Sequence, residues 1–345
     1  MSHLIIADPG GSRVIGADEP VLLVASIGAN HLGSKQHALE IIYAAAASGA
    51  NAIRLDTFTA DGISMDVDHP AFQLPTGGHL YERCRKVAMP WGWFPDLIET
   101  ARGQGLLWFG SPGQTDAVDY LEDLDCPLYH VGPLELVDEP LLARLAANEA
   151  PVLLSTALGT LSEIAHAVEF LRSGGCPQLG LLGWAPIGDR PQLHRLRLLT
   201  QTFTCPVGLI DHSPTPTAAV AAVARGAVVI EKPLTITRAD GGPDAEISME
   251  PEEFATVAEA IRATEAACRV SAPFAFEPEA QQMRTMRKSL YVSRDMDAGE
   301  HLTPDDIACV RPADGLPPSD LTRIVGRRLR KPVRRGTPLN WNLVV

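Results

Sequence analysis

Four absences bound what this chain can be. Lys and Arg are outnumbered, 29 against 42 Asp and Glu, for a net charge of −13. Phosphate backbones need a basic footprint, so nucleic acid is excluded as the main partner. No apolar run approaches the ~20 residues that span a bilayer, and no signal-peptide pattern opens the chain. A membrane role is therefore excluded, and a cytoplasmic protein is expected. Cysteine is sparse: six residues, none in a CxxC pair and none grouped with histidine at zinc spacing. They read as small buried hydrophobes in a reducing compartment. No GxGxxG opens a helix, which removes the dinucleotide-binding signature.

The charge that is present is unevenly spread. From residue 281 onward there are 12 Lys/Arg against 7 Asp/Glu, so this tail carries +5 and the rest −18. A solvated basic face explains that, and so does a module that docks on an acidic body or brings charge to an anion.

The body has a strand–helix rhythm. Short β-like runs at 4–7 and 13–15 flank Pro9-Gly10-Gly11 and predict a hairpin over one end of the main domain. Apolar strands are then expected at 21–25, 52–55, 106–110, 128–131, 152–154, 179–182, 207–210 and 228–230. Helices are expected at 34–48, 95–104, 115–124, 139–147, 161–171, within 192–201, at 217–225 and at 252–268. Eight such units over roughly 250 residues predict a (β/α)8 TIM barrel in the α/β class. The strands are continuously apolar rather than alternating, as in a sheet covered on both faces. An open doubly wound sheet is the competing fold. Residues 58–90 break the rhythm and read as a long irregular excursion, the length of a functional lid. The expected domains are the barrel with its hairpin at 1–270, a Pro/Ala-rich linker at 271–284 and a small Gly-turn-rich module at 285–345.

Most strands end in polar residues, where barrels carry their chemistry. Arg54 and Asp56 lie two apart on one strand, share a face, and should point into the barrel mouth. His130 sits inside an apolar strand: a satisfied core histidine by default, an acid, base or anion ligand if at the outer end. Asp211 reads as a helix cap and Glu231 as a surface partner of Lys232, unless all strand ends converge on one site.

The segments ASIGANHLGS, IRLDTF, GSPGQTDAVDYLEDLDCPLYHVGPLEL, LLSTALGTLSEI, VGLIDHS, VVIEKPLT and GGPDAEISMEPEEF, in this order and spacing, resemble the sialic acid synthase (N-acetylneuraminate synthase, NeuB-type) family. KSLYVSRDMDAGEHLTPDDI and VRPADGLPP resemble its C-terminal SAF (antifreeze-like) domain. The resemblance implies a TIM barrel with a SAF domain swapped within a homodimer. It also implies condensation of phosphoenolpyruvate with a sugar or other aldehyde to a 2-keto-3-deoxy acid, with a divalent metal activating the aldehyde. Carried over by position, Glu135, His212, His130 and Asp56 are the candidate catalytic residues. Arg54, Thr57, Ser111, Ser155, Asp244, Arg311, Asn30 and Lys232 are the candidates for holding a small anionic substrate. His212 falls on the family's first metal histidine.

The departures fall at the site. Pro233 stands where the second metal histidine belongs, since EKH is here EKP. Ser26 replaces a glutamate, Arg54 and Asp56 replace the Lys and Gln of KFQT, His130 a phosphate-binding lysine, and Ala245 a histidine. One histidine leaves Mn²⁺ or Mg²⁺ to be held by water and carboxylates, which weakens affinity. Three readings follow: a divergent synthase, a metal-independent lyase or isomerase on the same barrel, and an inactive binding or scaffold subunit.

Overall fold

In a computed structural model, residues 3–8, 11–148, 150–188, 193–268 and 282–345 are described. The chain divides into two compact units, Met1–Arg269 and Val270–Val345. Most of the expected linker lies outside the described residues.

The first unit opens with β1 (Leu4–Asp8) and β2 (Gly11–Ile15), an antiparallel pair. Then β3 (Leu22–Ser26) leads to α1 (Lys35–Ala47), whose first turn is capped by the Ser34 side chain accepting from the His37 amide. There follow β4 (Ala52–Thr57), α2 (Ala60–Ile63), α3 (Leu80–Val87) and α4 (Phe94–Gly103). After them come β5 (Leu107–Pro112), α5 (Thr115–Asp123), β6 (Tyr129–Val131), α6 (Glu139–Ala146) and β7 (Val152–Ser155). The unit ends with α7 (Leu161–Ser173), β8 (Leu179–Ala185), α8 (His194–Phe203), β9 (Val207–Asp211), α9 (Thr217–Ala224), β10 (Val229–Pro233) and α10 (Pro251–Cys268).

β3 to β10 form a closed parallel barrel in chain order, with β10 sealed against β3. The TIM barrel is thus the architecture, and the open sheet is excluded. Strand residues are buried along nearly their whole length because the barrel interior takes one face and the helices the other. The hairpin covers the N-terminal end: Gln178 accepts from the Ile5 amide just before β8, and Arg13 donates to the Asn51 carbonyl just before β4.

The excursion at 58–90 is more regular than expected. It contains α2, a 3-10 turn at Pro70–Phe72, and α3. Leu80, Cys84 and Val87 recur at helical spacing, and Cys84 is buried. The Gly and Pro density just before α3 hid that period in the sequence.

The second unit pairs β11 (Ser289–Val292) antiparallel with β12 (Ile307–Val310) and adds one helical turn, α11 (Leu321–Ile324). It has its own core, with Leu290, Leu302, Ile324, Leu329 and Leu339 nearly inaccessible. Among the described residues, no helix is long and apolar enough to cross a membrane.

Candidate active site

The strand period of two sorts the polar residues of the barrel onto its faces. On β4, Arg54 and Asp56 face inward while Thr57 turns away. On β10, Glu231 faces inward and Lys232 outward. The inward set meets at the C-terminal end of the barrel around a cavity of about 540 Å³. Arg54, Asp56, Ser111, His130, Glu135, Ser155, His212 and Glu231 all line it. Its upper wall is apolar, from Phe58, Ile63, Leu80, Leu134 and Leu158.

Arg54 is the hub. Its Nη1 lies 2.5 Å from Asp56 Oδ1, and its Nε lies 3.1 Å from Glu231 Oε1, within pairing range but not aligned as a hydrogen bond. Burial raises the pKa of both carboxyls, against the opposing pull of Arg54. Arg54 is therefore not the free cation expected of an anion receptor: two carboxylates already match its charge.

His130 is 2% exposed. Its Nδ1 faces Ser111 Oγ at 2.9 Å and Arg54 Nη1 at 3.5 Å. A guanidinium only donates, so Nδ1 accepts and the neutral ring carries its proton on Nε2. Burial, then Arg54, holds the pKa well below 6.5. His130 Nε2, Ser155 Oγ and Glu231 Oε2 are buried with no protein partner. Buried polar atoms without partners are costly, and three around one cavity mark a place for a ligand.

His212 follows β9 and is anchored by its amide donating to the Ala185 carbonyl at 2.8 Å. Trp184 Nε1 donates to its Nδ1 at 3.3 Å. Burial, then Arg54, lowers its pKa to about 4. Glu135 is half-buried, and its carboxylate folds so closely over Gly132 that a Cβ there would lie 2.3 Å from Oε2. Burial raises the Glu135 pKa.

That shift has a testable consequence. With its folded pKa above the ordinary 4.5, Glu135 costs nothing relative to glutamine below that pH and destabilises the fold once ionised. Glu135→Gln is expected to match the parent in urea unfolding at pH 4 and exceed it at pH 8. Equal stability at both pH values would contradict the burial.

Five expected substrate residues lie elsewhere. Lys232 is fully buried behind β10, where Nζ donates to Asp211 Oδ2 at 2.8 Å and to the Ser213 carbonyl at 2.9 Å. It cannot reach the cavity because its neighbour Glu231 takes the inward face; Lys232 pairs with Asp211, not Glu231. Thr57 is buried and donates to the Leu55 carbonyl. Asn30 bridges the Leu234 carbonyl and Ser248 Oγ, tying the loop after β3 to that after β10. Asp244 accepts from the Ala29 amide at 2.8 Å, beside Asp56 rather than on the cavity wall. Arg311 is exposed on the second unit, where with Arg335 it lines a cleft of about 380 Å³.

The donors present do not fit a metal ion. Pro233 supplies no donor. His31 is buried with Nε2 on the Val87 carbonyl and Nδ1 accepting from the Gly33 amide. His212 has Nδ1 engaged by Trp184. Among the described residues, no three His, Cys, Asp or Glu are placed to hold a metal.

Sequence reasoning missed Trp184 as a partner of His212, and missed the apolar wall from Leu80 and Cys84. The helical spacing of the latter was the available signal.

The chain resembles known proteins over most of its length. Residues 41–271 match the NeuB family and residues 287–345 the SAF domain. Over 330 residues the chain is 30% identical to pseudaminic acid synthase of Campylobacter jejuni, covering 93% of this chain and 96% of that one. It is 28% identical over 343 residues to N,N'-diacetyllegionaminic acid synthase of Legionella pneumophila, covering 96% of each. The solved spore coat polysaccharide biosynthesis protein SpsE of Bacillus subtilis superposes with a TM-score of 0.66 at 25% identity, covering 100% of this chain and 99% of that chain.

Proposed function

The chain belongs to the NeuB family, with a SAF domain after its barrel, and on that premise we propose that it condenses phosphoenolpyruvate with a sugar aldehyde to give a 2-keto-3-deoxy acid and phosphate. The observation that carries this reading is the convergence of unpartnered His130 Nε2, Ser155 Oγ and Glu231 Oε2 on one cavity that Glu135 and His212 also line.

In this reading carbon 3 of the enol donor attacks the aldehyde carbon. The C=O pair moves onto oxygen, which His212 polarises and which takes a proton from Glu135. Water adds to carbon 2 of the donor and returns one proton to Glu135. The C2–O bond to phosphate then breaks, and the last water hydrogen leaves with the phosphate. Burial suits Glu135 to this shuttle by keeping its proton available closer to neutral pH. The apolar wall favours an acceptor with acyl or other apolar substituents.

The donor is strongly anionic, and Arg54 is already neutralised. Its charge is met in this reading by Ser155 and His130 as donors, the Ser111 hydroxyl being spent on His130 Nδ1, and by Arg311 delivered from a second copy of the chain. A homodimer completed in trans follows. The spent charge of Arg54 also favours a second reading, acid–base cleavage of a keto acid without phosphoenolpyruvate.

Phosphate release from phosphoenolpyruvate, measured with a panel of N-acylated hexose aldehydes, tests the proposal. Release with at least one acceptor is expected from the parent and from mixed Arg311→Ala and His212→Ala proteins, but from neither variant alone. Keto-acid cleavage with no phosphate release would favour the lyase. No turnover of either kind would leave a binding subunit. Recovery absent from a mixture with proven subunit exchange would count against completion in trans.

A further inference from the structure

Resting on the synthase reading, we propose that Trp184 locks His212 as the Nε2–H tautomer, so that a neutral imidazole takes the place of a metal ion at the aldehyde oxygen. An indole nitrogen donates and never accepts. With Trp184 Nε1 3.3 Å from His212 Nδ1, Nδ1 must present its lone pair. The ring can then be neither imidazolium nor the Nδ1–H tautomer while that bond holds, and its proton is on Nε2. The two rings meet nearly edge to face, at 84°, with centroids 6.1 Å apart.

Both partners are held by the barrel. Trp184 is on β8, opposite Ile210 of β9, and His212 is hydrogen-bonded to the Ala185 carbonyl of the same strand. Trp184 is thus placed by its strand, and His212, one residue past β9, by that backbone bond.

The same bond disfavours metal at either nitrogen. A neutral histidine ligates through its unprotonated nitrogen while the other keeps its proton. Here the unprotonated nitrogen is taken by Trp184. Ligation through Nε2 would need removal of the proton from a neutral ring. His31 and Pro233 offer no replacement, as described above. What remains is an N–H donor beside a cavity, and a neutral imidazole donor can polarise a carbonyl. Trp184 is thus a positioning residue.

Long-range ¹H–¹⁵N spectra of the full-length protein with ¹⁵N-labelled histidine read the tautomer directly at neutral pH. The expected result is Nε2–H for His212, and no paramagnetic broadening of its signals by Mn²⁺ at 100 µM. Trp184→Phe should release the lock, giving a mixture of tautomers, broadening by Mn²⁺, and a fall in kcat of about 10²-fold with KM little changed, the order that one preorganised donor carries. An Nδ1–H signal in the parent, or broadening of His212 by Mn²⁺ in the parent, overturns the inference. So does condensation abolished by a chelator and restored by Mn²⁺. Should Trp184→Phe not fold, the parent spectra decide alone. If the parent gives the expected spectra but no condensation with any acceptor, the synthase reading falls and the tautomer lock stands.

Discussion

Lys232→Met is expected to lower the unfolding free energy by about 3–5 kcal/mol, the usual cost of removing one partner from a buried ion pair. Lys232 and Asp211 have no solvent-exposed side-chain area. Burial lowers the Lys232 pKa, and Asp211 opposes that shift first with Glu253 behind it, so the charged ammonium depends chiefly on the Asp211 carboxylate. Without it Asp211 keeps the Ser213 amide at 2.8 Å but has no counter-ion. Urea unfolding measures the loss, and adding Asp211→Asn should return part of it. A loss below about 1 kcal/mol would show that water reaches the pair, contrary to its burial. Lys232 thus ties the end of β10 to the end of β9 and the loop after it.

Arg54→Met should cost about 3 kcal/mol, at the low end because Arg54 and Asp56 retain some exposure. Asp56 and Glu231 would be left facing one another without a cation. Both have raised folded pKa values already, and removing Arg54 raises them further. The sign of the pH dependence follows. Below the ordinary carboxyl values both groups are neutral in either state and little is lost. As pH rises through the elevated folded values, the ionised pair destabilises the fold. The deficit should therefore be small at pH 4 and full at pH 8, and adding Asp56→Asn and Glu231→Gln should shrink it. Unchanged stability with lost phosphoenolpyruvate affinity would instead make Arg54 a free anion receptor.

The barrel was legible because it is written locally. Apolar runs, caps such as Ser34, and polar residues at strand ends each need only a few neighbours to be recognised. The inward facing of Arg54 and Asp56 follows from the same period of two. That period also places Lys232 opposite Glu231, an inference the adjacency of two opposite charges obscured. What was not legible depends on partners distant in sequence. Arg54 meets Glu231 across the sealed seam of the barrel, so the neutralisation of Arg54 appears only when the ring closes. Trp184 on β8 and His212 just past the end of β9 are separated by a full helix, and nothing in either segment announces a hydrogen bond between them. Asn30 is a site candidate through the family resemblance, but its Nδ2 is consumed in joining two loops, while its Oδ1 is buried without a protein partner.

The seam that seals β10 against β3 also dictates how the protein is made. Leu22 pairs with Val229, and Arg262 of α10 donates to the Val21 carbonyl, 241 residues earlier, and to the Asn51 side chain. Glu265 accepts from the Val21 amide. A ribosome releases the chain from its N-terminus, so β3 emerges with one edge bare and keeps it bare through six further strands, until β10 covers it. Loops of this span close slowly, and bare edges invite pairing with other chains. Nascent chains stopped before Arg262 should remain protease-sensitive and bind holdase chaperones, and those extended past Glu265 should not. The last turns of α10 thus act as the latch of translation: the ring cannot lock until the residues that bolt it have left the ribosome.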